Sequence, residues 1–197
     1  MLLAVGVVDL LPEWPGLADT WARSVHVCPF CHGWEMRDRA LVSYGQGDHL
    51  VPFANMLRSW SAELVGLAGS TALTDADRAS LIAKGIAVRG GHPVALHHEG
   101  GELTAVELDD GTLLPRTAMF LGVKQRQTPL VRSLGLEMVP DPSNEDGLVK
   151  TDDMGRTNLP MLWAAGDSCT WMPQVCQAIA SGGLRGAMIH GALSMLP

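Results

Sequence analysis

The 197-residue sequence predicts an α/β fold, and three observations carry that expectation. An apolar run at 40 to 44 passes through a Gly45-Gln46-Gly47 turn into a helical pattern and a second apolar run at 63 to 67, which is a βαβ unit. Residues 93 to 115 alternate apolar and polar side chains around two tight turns, the pattern of a small antiparallel β meander. Near the end, Leu159 to Cys169 reads as a buried strand closing on Gly166-Asp167, and a long helical stretch follows it.

In chain order, residues 2 to 8 read as one buried strand and "DLLPEWPGL" as a Pro/Gly-punctuated connection. "SVHV" is a short strand leading into Cys28. The helix after the Gly turn runs from about Asp48 to Trp60. Thr74, with Asp75 and Asp77 behind it, opens another helix, and Gly85 closes it. "IAVRG" is a strand. The meander turns at Glu99-Gly100-Gly101 and Asp109-Asp110-Gly111, and "TAMFLGV" returns a strand to the core. The Pro/Asp/Asn-rich segment 140 to 147 is the expected domain connection. "QVCQAIASGGLRGAMIHGAL" is a long helix with Ala and Gly at positions suited to close packing.

Hydrophobic residues make up 47% of the chain and charged residues 18%, a globular balance. The net charge of −7 argues against nucleic acid or an acidic membrane as partner, because no basic cluster offsets phosphate repulsion. The apolar start is short, lacks a basic leader and carries Asp9, which supports neither a signal peptide nor a membrane span. A cytoplasmic location is the default that follows. Four cysteines in a reducing compartment are then catalytic, metal-bound or inert before they are structural disulfides.

Chemistry concentrates in "CPFCHG". Pro29 suits the first position of a helix, where a missing N–H costs nothing, so Cys28 is expected at the N-cap. A helix N-terminus favours a thiolate, and His26 and His32 flank the pair as candidate carriers of the exchange proton. Several readings of the pair compete. A zinc knuckle needs two further ligands, and Cys169 and Cys176 are spaced by six without a flanking histidine. A thioredoxin-type site needs a long helix directly after the second cysteine, and "GWEMRD" leaves barely two turns. A buried, inert pair is the bland alternative. A redox disulfide mounted on a nucleotide-binding α/β domain remains beside them.

Gly45 and Gly47 are a weak dinucleotide signal on a Rossmann-like, NAD(P)-type domain. The third glycine position is Leu50, Asp48 sets a carboxylate where a pyrophosphate would lie, and "GLAGST" lacks a ribose-binding acid or the arginines for a 2′-phosphate. In the terminal segment, Asp167 is placed to accept from a sugar or ribityl hydroxyl, with the following helix N-terminus favouring negative charge on a ligand. Its alternative is a plain loop cap.

Together these residues resemble the thioredoxin reductase family of flavoprotein disulfide reductases. "LLAVGVVDLLPEWPGL" is similar to the family's strand and connection closing the first part of its flavin domain. "CPFCHGWEMRDRALVSYGQG" resembles the redox pair followed by the nicotinamide-domain turn. "GRTNLPMLWAAGDS" with "PQVCQAIASGGLRGA" resembles the flavin-binding terminal segment. Within the family, the Cys-x-x-Cys-His-Gly form looks closest to the branch of gliotoxin-type dithiol oxidases. The family's opening strand, Gly-x-Gly-x-x-Gly turn and helix have no counterpart, and Val5 stands where the family usually has Thr.

The resemblance implies residues 1-22 as the end of the first half of an FAD-binding domain, 23-140 as the NAD(P)-type domain carrying the redox pair, and 141-197 as the second half of an incomplete FAD domain. It implies FAD as cofactor, held by Gly166, Asp167, Gln174 and Val175, and NADPH at Gly45 and Gly47. Cys31 becomes the flavin-side thiol, Cys28 the exchange thiol and His32 the proton carrier. A thioredoxin-like protein or a small-molecule dithiol or disulfide is the implied partner, and a homodimer the implied assembly. Oxygen in place of NADPH, and a flavin-free remnant acting as an interaction module, stay open as alternatives.

Overall fold

A computed structural model of the chain describes residues 1–45, 50–70 and 72–195. Its elements run β1 (Leu2–Leu3), β2 (Val7–Leu10), α1 (Leu17–Thr20), β3 (Val25–His26), α2 (Pro29–His32), β4 (Leu41–Tyr44) and α3 (Leu50–Leu57). There follow β5 (Leu64–Leu67), α4 (Asp75–Ala83), β6 (Ala87–Arg89), β7 (Pro93–Glu99), β8 (Glu102–Leu108), β9 (Leu113–Pro115) and β10 (Ala118–Leu121). The last part holds β11 (Lys124–Gln127), α5 (Pro129–Ser133), β12 (Met138–Asp141), β13 (Asn144–Val149), β14 (Trp163–Ala164), a 3-10 turn at Gly166–Cys169, and α6 (Val175–Leu193). The α/β expectation holds. The chain divides into two compact units, Pro12–Val123, and Met1–Leu11 with Lys124–Pro197.

The Pro12–Val123 unit is built on a parallel sheet of order β3-β10-β4-β5-β6. Strands β4, β5 and β10 are buried at every position, as a sheet covered on both faces requires. Alternate side chains divide between the faces. Leu41, Leu64 and Phe120 meet Ala54 and Leu57 of α3 and Leu81 of α4. Val42, Val65, Leu67, Met119 and Leu121 meet Leu96, Leu103, Val106, Leu108 and Leu114 of the antiparallel meander β7-β8-β9. That two-residue repeat sets the surroundings of the redox motif. Val25 of β3 joins the meander-side core, and His26, the next residue, turns to the other side beside Phe120, 5.8 Å between ring centroids.

Local signals explain much of this unit. Thr74 Oγ1 accepts from Asp77 N at 3.1 Å while the Asp77 carboxylate accepts from Thr74 N, a full capping box that starts α4. Gly100 and Gly101 lie at φ 60° and 92°, the left-handed pair that a tight hairpin turn needs between β7 and β8.

In the second unit, the expected single strand over 2 to 8 is two strands. Gly6, at φ 64°, breaks the run: β1 pairs with β14 in parallel, and β2 pairs antiparallel with β11. Of β1 and β2, only Leu3 is buried. The segment 140 to 147, expected as a connection, closes a hairpin between β12 and β13, where Asp141 Oδ1 accepts from Ser143 N at 2.9 Å. The close packing expected along α6 does not occur: none of its residues is buried, and a Cβ added at Gly182, Gly183, Gly186 or Gly191 would meet nothing within 4 Å. The core of this unit gathers Leu3, Val131, Val149, Leu162 and Ala164 instead.

Candidate redox site

β3 ends one residue short of the cysteines, and the chain turns at once into the single-turn helix α2. Pro29 takes N1 and Cys28 the N-cap, as the sequence predicts. The Cys28 carbonyl accepts from Cys31 N and His32 N, both at 3.2 Å, which folds the turn tightly enough to bring the two side chains together. Cys31 Sγ donates to Cys28 Sγ at 2.8 Å. Cys28 is half-buried and Cys31 exposed. Two thiols this close on one turn are set for the S–S bond of a redox pair.

Gly33 closes α2 for a steric reason. A Cβ there would lie 2.4 Å from Trp60 Nε1 and 2.3 Å from the Pro29 carbonyl oxygen. The Trp60 ring therefore sits directly against the end of the redox turn. Sequence reading could not find this contact, since Trp60 lies in the loop after α3.

The two histidines separate in role. Their rings stack at 4.1 Å between centroids and 15° between planes. His26 is 4% exposed, and its Nε2 donates to the Arg23 carbonyl oxygen at 3.1 Å, since a carbonyl can only accept. Burial, reinforced by the neighbouring His32, lowers its pKa to about 4. It is thus uncharged near neutral pH, with Nε2–H held by the Arg23 carbonyl. His32, half-buried beside Cys31, remains a candidate carrier of the exchange proton.

Gly45 is buried where β4 ends, with Tyr44 O accepting from Gly122 N at 2.8 Å. Gly47 and Asp48 lie outside the described residues. Beyond β5, Gly69 bridges to Gly91, and Tyr44 Oη and His92 Nδ1 are hydrogen-bonded at 3.0 Å beside them.

In the other unit, Gly166 and Asp167 begin the 3-10 turn after β14. Gly166 N donates to Ser181 Oγ of α6 at 3.1 Å, and Ser168 O accepts from Gln127 Nε2 at 3.0 Å. The Asp167 carboxyl is pushed up from its usual range, by burial first and by the Asp9 carboxylate second. Gln174 caps α6 without a side-chain hydrogen bond, which leaves the first-turn N–H groups of this 19-residue helix to water or a ligand. Cys169 packs on the unit's core, and burial pushes its thiol pKa up, as an inert cysteine requires. Among the described residues no helix is long and apolar enough to cross a membrane.

The chain matches the family model for pyridine nucleotide-disulphide oxidoreductases over residues 1–182. It is 27% identical to "Thioredoxin reductase aclD" of Aspergillus oryzae, over 93% of this chain and 60% of that protein. Among solved structures, HlmI superposes with a TM-score of 0.84 at 30% identity, covering 98% of this chain and 60% of that one. A putative thioredoxin reductase, TrxB of Bacillus anthracis, superposes with a TM-score of 0.86 at 26% identity, covering 98% and 64%. The chain therefore spans about 60% of the length of the relatives it matches.

Proposed function

Because the chain belongs to the pyridine nucleotide-disulphide oxidoreductase family, we propose that it is an FAD-dependent dithiol/disulfide oxidoreductase of thioredoxin reductase type. The observation that carries this reading is the Cys28–Cys31 pair, sulfur beside sulfur on one turn at the end of a sheet strand. Closing the disulfide removes two protons and two electrons from the thiols, and opening it returns them. Cys28 exchanges with the partner's sulfur, Cys31 is the flavin-side thiol, and His32 takes or gives the proton. The partner is a thioredoxin-like protein or a small-molecule dithiol.

The residues of the terminal segment fit the flavin. The uncapped start of α6, at Gln174 and Val175, suits an electron-rich ligand, and the desolvated Asp167 carboxyl after Gly166 suits a hydroxyl. When bound, FAD accepts or returns the electron pair. In place of the sequence boundaries at 22/23 and 140/141, we assign Met1–Leu11 with Lys124–Pro197 to the flavin domain and Pro12–Val123 to the NAD(P)-type domain, with assembly as a homodimer.

The electron partner has two readings. NADPH follows from the family. Oxygen, with a small-molecule dithiol as substrate, is favoured by the end of β5, where the run Ala68-Gly69-Ser70 offers a nicotinamide nucleotide no charged side chain. Anaerobic mixing with NADPH separates them, since rapid bleaching of bound flavin supports the reductase and refutes the oxidase. The broader reading is tested by the colour of the purified protein after incubation with FAD. Retained flavin supports the enzyme, whereas a colourless chain favours the flavin-free remnant.

A further inference from the structure

The redox turn and the segment behind it rest on one short stretch of chain, the loop between α3 and β5. We propose that Trp60 of this loop is a positioning residue: its indole is the seat against which the turn packs, and by keeping the Cys28 and Cys31 sulfurs together it favours their disulfide. The inference deepens the redox reading of that pair and rests on it.

A run of contacts leads from the ring to the sulfurs. Trp60 is half-buried and packs on the helix-side core. Its indole lies so close to Gly33 that a Cβ on Gly33 would overlap it, so ring and turn touch without a gap. Gly33 donates its N–H to the Pro29 carbonyl at 2.8 Å, the bond that closes α2, and within that closed turn the two sulfurs lie 2.8 Å apart. The same loop holds the far end of the segment. Trp60 O accepts from Asp38 N at 3.0 Å, and Ser61 Oγ, on a residue 2% exposed, donates to Arg39 O at 2.7 Å. Asp38 is left-handed at φ 61°, a conformation that a non-glycine residue keeps where its surroundings hold it. Met36, between the two anchor points, is buried in the core on which Trp60 packs. Residues 33 to 39 are thus pinned at both ends to 60 and 61.

Closure by glutathione disulfide takes two electrons and two protons from Cys28 and Cys31, so one S–S bond forms in the chain and two glutathione thiols are released. The equilibrium constant of that exchange reads how closely the fold holds the two sulfurs, as an effective concentration. A turn without its seat opens, and the constant falls.

The test measures this constant in glutathione redox buffers, with alkylation and peptide mass spectrometry assigning each cysteine. It compares the full chain with Trp60→Leu, Trp60→Phe and Thr74→Ala, each first confirmed as folded in both redox forms by its urea midpoint. Trp60→Phe keeps an aromatic plate at the seat, and Thr74→Ala weakens the same unit at the start of α4 instead. While both redox forms stay folded, overall stability does not enter the constant. It falls about tenfold in Trp60→Leu, stays within about twofold in Trp60→Phe and is unchanged in Thr74→Ala, although the urea midpoint of Thr74→Ala drops.

An unchanged constant in Trp60→Leu would mean that the indole merely fills the core, and the proposal fails. It fails equally if Trp60→Phe loses as much as Trp60→Leu, or if Thr74→Ala shifts the constant too. Should Trp60→Leu not fold, Trp60→Met supplies the non-aromatic arm. No flavin, partner or turnover enters these measurements. A failure of the redox reading would show separately, as an inability of Cys28 and Cys31 to form a disulfide in the unchanged chain.

Discussion

Replacing Gly33 by alanine adds a single methyl group at the end of the redox turn, and the structure says where it goes. The backbone at this position is ordinary right-handed helix, φ −62° and ψ −34°, so alanine meets no conformational strain. The obstacle is steric. The new Cβ would sit 2.4 and 2.5 Å from the Trp60 indole and 2.3 Å from the Pro29 carbonyl oxygen. The indole is packed against the helix-side core with Met36, Leu57 and Phe120, so it cannot swing away freely. The carbonyl accepts the Gly33 N–H at 2.8 Å and closes the turn, so moving it opens α2.

Forcing one methylene-sized group into a packed site costs about 1–3 kcal/mol, and two blocked directions place this variant at the upper end, about 3 kcal/mol. The urea midpoint should fall accordingly with an unchanged slope. Because the turn itself is displaced, the Cys28 and Cys31 sulfurs should separate, and disulfide closure by a glutathione redox buffer should slow. In Gly33→Ala/Trp60→Leu the ring clash is gone and part of the stability should return. A Gly33→Ala chain with unchanged midpoint and closure rate would refute the reasoning.

Other perturbations have outcomes that can be fixed in advance. Thr74→Ala removes the acceptor for Asp77 N and should cost about 1 kcal/mol in denaturant unfolding. His26 binds a proton near pH 6.5 when unfolded but near pH 4 when folded, so the unfolded state holds more protons between those values. Its contribution is complete above pH 6.5 and is lost as the pH falls towards 4, on the order of 3 kcal/mol, and His26→Phe should flatten that part of the stability profile. Asp9→Asn removes the second cause of the raised Asp167 pKa while keeping an acceptor for Gln125 Nε2, so the Asp167 carboxyl, followed by carbon NMR, should titrate at lower pH.

Sequence patterns reached the elements whose causes are local. The Thr74 box, the Gly100-Gly101 turn, Cys28 at the N-cap before Pro29 and the buried runs of β4, β5 and β10 each follow from neighbouring residues. The stretch from 124 to 149 was illegible for the opposite reason. β11 reads Lys-Gln-Arg-Gln with only Gln127 buried, and it is a strand because β2 and β13 pair with it, not because its own pattern demands one. Gly6 was read within a strand because an apolar run does not show which glycine takes a left-handed conformation. In the site, the cysteine pair was legible from spacing. The His26–His32 stack was not, because it joins the end of β3 to α2 at a geometry that only the folded turn defines. The Trp60–Gly33 contact brings together residues 27 positions apart with no periodic relation.

The central claim is that Cys28 and Cys31 form the chain's redox pair. It is tested most directly by equilibrating the protein across a series of glutathione redox buffers, quenching with an alkylating agent and assigning each cysteine by peptide mass spectrometry. The account predicts that Cys28 and Cys31 lose their thiols together, in one two-electron transition that yields a Cys28–Cys31 disulfide, while Cys169 stays a thiol throughout. Independent oxidation of the two, or persistence of both thiols in the most oxidising buffers, would contradict it.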